Sequence, residues 1–155
     1  MESAGIGLPT MNVEACLSLA RISPALRERM AKRMARDNKL DYSLACEIVD
    51  ETAKFLAMKG VARDVNIVPS ALVDIGWHTF LMYTKDYLDF SRRVTGGRFI
   101  HHEPMDSEEN PQNTVRGDEV MRKFGVVPNE KLWRACNDAC SSSGEGCHMQ
   151  NCCST

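Results

Sequence analysis

Residues 69–104, PSALVDIGWHTFLMYTKDYLDFSRRVTGGRFIHHEP, constrain the fold more than any other part of the chain. They carry three of the four histidines, one of the two tryptophans and two of the three tyrosines. At ~100° per residue, Leu72, Val73, Trp77, Phe80, Leu81, Tyr83, Tyr87, Leu88, Phe90 and Val94 all fall on one side of a helical wheel. That spacing predicts one long helix over 70–95, stopped by Gly96-Gly97. An apolar arc of this width needs two covering neighbours, and Ile75 and Met82 imply some cover on the opposite side as well. The other helices should therefore be arranged around this one. Beyond the glycines, RFIHH lacks the alternation of a strand and reads as an extended return segment.

The rest of the chain supplies helical neighbours. Residues 1–9 read as a loose leader, and Thr10 can cap a short helix to about residue 21. Ser23-Pro24 opens the next helix, with serine at the cap and proline where a missing N–H costs nothing. Asp41 can cap a third, running to Gly60 as its terminating glycine, with Leu44, Ile48, Phe55 and Leu56 as its buried stripe. Residues 105–113 form an acidic, proline-containing loop. Thr114 and Asn129 are positioned to cap two short helices, over 114–125 and 129–141. The expectation is an all-α fold: a compact bundle of five or six helices over 10–140, followed by a flexible cysteine-rich tail over 141–155.

A chain of 155 residues with 43% hydrophobic content can hold one core of this kind without staples. Net charge is −2, so the chain as a whole has no pull toward nucleic acid or acidic lipid. MESAGIGLPTMN lacks the basic start and apolar core of an export signal, and no stretch is long and apolar enough to span a membrane. The expected location is cytoplasmic, with thiols reduced. The helix after Pro24 carries Arg27, Arg29, Lys32, Arg33 and Arg36 against Glu28. Such a face either meets an anionic partner or is solvated, with neighbouring acids supplied by the fold. It has no interleaved aromatics, which argues against single-stranded nucleic acid. A protein partner stays open, and the sequence sets no oligomeric state.

Two places could carry chemistry. Asp74 and His78 lie one helical turn apart, and an Asp that accepts one imidazole N–H fixes the tautomer and raises the basicity of the other nitrogen. If the return segment folds back, His101 or His102 joins them, giving a set suited to zinc or a similar ion. The same pair could serve as an acid/base couple, or be one more exposed helix pair with the histidines packed on aromatics. No glycine-flanked serine or phosphate-cradling loop is present. The second place is the tail. Cys136, Cys140, Cys147, His148, Cys152 and Cys153 put six soft ligands within eighteen residues. Seven cysteines in all cannot be fully paired within the chain. Tetrahedral zinc would take four of the six, although the spacing does not form two CxxC knuckles. Copper(I) and iron–sulfur ligation are also compatible with thiolates. A disordered or redox-labile tail and a peptide modified by other enzymes are the alternatives. Cys16 and Cys46 read as small core residues.

The stretches VDIGWHTF (73–80), Tyr83, Tyr87, Phe90, GRFIHH (97–102) and Pro104 resemble the glycine-rich-domain-containing-protein-like family, in its short, largely actinobacterial members. The helix over 41–60 and the tryptophan-then-cysteine tail are also similar, so the resemblance covers most of 10–153. It implies that Asp74, Trp77, His78, His101 and His102 occupy motif positions, without assigning them a role. Ten scattered glycines leave out the glycine-rich region behind the family's name, so functions tied to that region do not carry over. The expected function is transition-metal binding, zinc foremost, through the tail cysteines with His78 and His101 or His102 as a second set. A non-catalytic interaction module and an enzyme built on Asp74–His78 are the other readings.

Overall fold

The computed structural model describes residues 12–103 and 114–134. The expected leader, the acidic loop and the tail lie outside the described residues. The fold is all-α, with one short pair of strands. In chain order the elements are α1 (Val13–Leu19), α2 (Pro24–Asn38), α3 (Tyr42–Val61), β1 (Asn66–Val68), α4 (Ala71–Leu81), α5 (Thr84–Thr95), β2 (Thr114–Arg116), α6 (Gly117–Lys123) and α7 (Glu130–Trp133).

The helix starts follow local chemistry. Asn12, rather than Thr10, caps α1, its side chain accepting from the Ala15 N–H at 2.7 Å. Ser23, Asp41 and Ser70 do the same for α2, α3 and α4. Gly60 does not terminate α3; it lies inside the helix, where the absence of a Cβ lets the backbone approach the Val94 carbonyl of α5.

The hub is α3, which packs against α1, α2, α4, α5 and α6. Ile48, Phe55, Leu56 and Met58 of α3 are fully buried, and Phe55 meets the rings of Trp77 and Trp133 at centroid distances of 5.3 and 6.1 Å. Gly76 brings α4 down onto Thr52 and Ile48 of α3, a contact with no room for a methyl group. Cys16 is in the core, with its thiol toward the Val94 carbonyl, and burial pushes that thiol's pKa up. Cys46 is only partly buried.

The stretch expected as one long helix is two. The chain leaves helical geometry at Tyr83 (φ −95°, ψ 62°), and α5 begins at Thr84. A single straight helix would have to bury half its circumference. Breaking it lets α4 bury Val73, Trp77 and Phe80 while α5 turns Tyr87, Phe90 and Val94 inward from another direction. Edge-to-face contacts of Phe80 with Tyr87 (5.2 Å) and Phe90 (5.1 Å) join the two halves.

Thr114 opens a strand rather than capping a helix. β1 and β2 pair in parallel, Ile67 opposite Val115, and α6 starts only at Gly117. Asn129 precedes α7 without capping it by side chain; its amide donates instead to Glu47 of α3 at 2.8 Å. The basic face of α2 is matched by the fold. Arg27 makes a two-pronged contact with Asp50 of α3 (2.7 and 2.6 Å), Lys32 pairs with Glu28, and Arg33 and Arg36 pair with Asp37. Arg29 lies over the Tyr83 ring at 5.0 Å. No helix among the described residues is long and apolar enough to cross a membrane.

Candidate metal centre

Helix α4 sets the first half of the site. With Ser70 capping its start, Asp74 falls in the first turn, where the helix dipole favours a carboxylate, and His78 sits one turn later. The His78 Nδ1 lies 2.9 Å from the Asp74 backbone oxygen and 3.2 Å from its Oδ2. Both neighbours accept, so Nδ1 is the donating nitrogen in this contact.

The second half arrives by the return segment. Gly96 (φ 74°) and Gly97 (φ 112°) end α5 in left-handed geometry, and the Gly97 N–H closes the last turn on the Arg92 carbonyl at 2.8 Å. The Thr95 hydroxyl oxygen then accepts from the Arg98 N–H at 2.8 Å, turning the chain back. A buried relay holds it there. Trp77 Nε1 donates to the Tyr87 hydroxyl at 2.7 Å, and that hydroxyl donates to the Ile100 carbonyl at 2.7 Å. Burial pushes the Tyr87 pKa up to about 12, so the hydroxyl stays protonated and remains a donor.

Two residues past that anchor, His102 lies over Trp77, with ring centroids 4.1 Å apart, and beside His78 at 4.5 Å. Its Nε2 is 2.8 Å from Asp74 Oδ1. The Asp74 carboxylate is thus shared between two imidazoles, and one ligand atom from each of Asp74, His78 and His102 lies within 4.8 Å of the others. The site is graded in exposure: the side chains of His102, Asp74 and His78 are 14%, 35% and 60% exposed. His102 and Asp74 form its floor, and His78 its rim.

This donor set fits a transition ion. Two imidazoles and one carboxylate leave coordination positions for water or substrate, as in catalytic zinc sites and in iron sites with the same three ligand types. Ligand atoms of tetrahedral zinc stand about 3.3 Å apart. The 2.8 Å pair of His102 and Asp74 is held by a proton, and a metal would replace that proton and open the pair slightly.

Of the expected histidine set, His78 and His102 converge on Asp74, and His101 does not. Successive side chains on an extended segment point opposite ways, and His101 instead meets the edge of Phe99, at 4.9 Å. The contact expected between Asp74 and His78 from their spacing is present, but the shorter carboxylate contact is to His102. Cys136, Cys140, Cys147, His148, Cys152 and Cys153 lie outside the described residues. Sequence reasoning missed the Trp77–Tyr87–Ile100 relay, because periodicity marks aromatic residues as core without saying which polar edges meet. It also missed Lys59 of α3, whose ammonium lies over the Trp77 ring at 5.0 Å.

No curated protein and no solved structure matches the chain. A sequence model of the UCP032817-like family matches residues 13–134, a span that contains Asp74, His78 and His102 and ends before Cys136. The chain belongs to the UCP032817-like family.

Proposed function

We propose that this protein binds a divalent transition-metal ion, zinc foremost, through Asp74, His78 and His102. The observation that carries the reading is the convergence of His102 on Asp74 across the glycine turn, which assembles three ligand groups of the right chemistry within 4.8 Å. The alternative is that the trio is a hydrogen-bonded clasp fastening the return segment to α4. The two readings differ in one measurable respect, since a clasp has no affinity for zinc.

The tail cysteines are proposed as a second, softer donor set, independent of the first. Elemental analysis of protein purified without chelator, followed by zinc titration, separates the two sets in three forms of the full chain. These are the wild type, His78→Ala/His102→Ala, and a form with all five tail cysteines changed to serine. Metal retained by the serine form and lost by the histidine form assigns the site to the trio. The reverse pattern assigns it to the tail. Metal-free wild type with no saturable zinc uptake sinks both. The resemblance to the glycine-rich-domain-containing-protein-like family is retained as a proposal about kinship, and it adds no activity to this reading.

A further inference from the structure

We propose that the cleft between the end of α3 and the return segment binds a small oxyanion, a carboxylate or an inorganic phosphate. The cleft has a volume of about 140 Å³, and Lys59, Arg63, Arg98 and His101 contribute its charged and titratable side chains, with Phe99 and Val65 among its apolar ones. Among the described residues, no Asp or Glu lines it.

Three cations, Lys59, Arg63 and Arg98, share this one cleft. On other faces several cations are matched by acids, as Arg27 is by Asp50, Arg122 by Glu130 and Lys131 by Glu47. Lys59 makes no ion pair with any described residue; its contacts are the faces of Trp77 (5.0 Å) and Phe55 (5.7 Å). Aromatic faces attract an ammonium but do not neutralise it. Partial burial without a counter-ion lowers the Lys59 pKa, as desolvation of a cation requires. Arg63 is held in place through carbonyls, its Nη2 donating to Thr95 at 3.1 Å and its Nε to Gly60 at 3.4 Å, so its charge is positioned without being compensated. Arg98 is exposed at the mouth, and no described residue forms an ion pair with it. An anion is the ligand that relieves this imbalance, and the guanidinium forks suit its oxygens.

Size narrows the class. Pockets for drug-sized ligands run to roughly 300–1,000 Å³, and this one is well below that, a size that suits one phosphate or short carboxylate. The alternation that sends His102 to Asp74 sends His101 to this cleft, and Trp77 lies between them, touched by Lys59 and by His102. The cleft is therefore a neighbour of the metal centre, but the inference does not depend on metal binding there.

Calorimetric titration of the full chain with inorganic phosphate and, separately, with acetate at low ionic strength tests this. Saturable one-to-one binding of either probe is expected. Phosphate alone points to a tetrahedral ligand; acetate binding as well points to a carboxylate. Lys59→Met and Arg98→Gln should each weaken binding about tenfold, the loss of one charge-assisted hydrogen bond. Arg98 is exposed, so its variant keeps the fold and the test stands even if Lys59→Met destabilises α3. Absence of saturable binding of both probes to the wild type overturns the proposal, as does binding left unchanged by both substitutions.

Discussion

His102 Nε2 lies 2.8 Å from the Asp74 carboxylate, across 28 residues of chain. A helix, a break, a second helix and a glycine turn separate the two, so their contact reports that every one of those steps is in place. The organisation of the site is the organisation of the 69–104 stretch. Trp77 and Tyr87 serve the core with their rings and the return segment with their polar edges.

The metal reading makes a direct forecast. His102→Ala should lower zinc affinity by at least ~10–100-fold, since loss even of groups that merely support metal ligands costs that much. Asp74→Asn should do likewise, because the amide presents only one weakly basic oxygen. Competition with a chromophoric chelator measures both. Affinities equal to wild type would assign the trio to the clasp role.

Tyr87→Phe removes a hydroxyl that is both acceptor and donor, leaving Trp77 Nε1 and the Ile100 carbonyl without partners. The expected cost is about 1–3 kcal/mol in urea unfolding. Amide exchange over 98–103 should quicken, and zinc affinity should fall as His102 loses its seat. A loss of stability with unchanged exchange in that segment would contradict the relay's positioning role.

Tyr87 also sets an alkaline limit. Its folded pKa is raised from 10.0 to about 12 by burial. The unfolded chain therefore gives up this proton first, and the stability that the neutral phenol contributes is full below pH 10 and is lost as pH climbs toward 12. Denaturation midpoints should drop over that window in the wild type and drop less in Tyr87→Phe.

Gly76→Ala tests the α3–α4 contact. Alanine gains about 1 kcal/mol of helix propensity, but its methyl would collide with Thr52 Oγ1 and the Ile48 side chain. Overpacking of this kind costs about 1–3 kcal/mol, and the clash is with a buried face that cannot retreat. Net destabilisation is expected, with partial recovery in Gly76→Ala/Thr52→Ala, measured by thermal unfolding.

At the acid end, Lys131 and Asn129 donate to Glu47 at 2.7 and 2.8 Å and hold its pKa below the ordinary 4.5. A depressed carboxyl contributes stability above the unfolded pKa and loses it as pH falls through the folded one. Glu47→Gln should lose a few tenths to about 1 kcal/mol at neutral pH, given the partial exposure of the pair. The difference should vanish well below pH 4.5. A gap that persists in acid would show that packing, not charge, is responsible.

The sequence by itself determined the helical class, because apolar spacing and capping residues act within a few positions. Ser23-Pro24, Asp41, Ser70 and Gly96-Gly97 mark boundaries that the structure keeps. It also singled out Asp74 and His78, since four residues on a helix is a distance in space. Where the outcome depended on what lies opposite, local reading gave way. The break at Tyr83 follows from two core faces that one straight helix could not serve, and Gly60 and Gly76 are small because another helix crosses there. Thr114 went to a strand because β1 offered a partner 48 residues away. Only the tertiary structure chose His102 over His101, through a relay anchored on Ile100 that fixes which side of the return segment faces α4. Hydrogen bonds between distant side chains leave no periodic trace along a chain, so the helices could be read from the sequence, whereas the site required their packing.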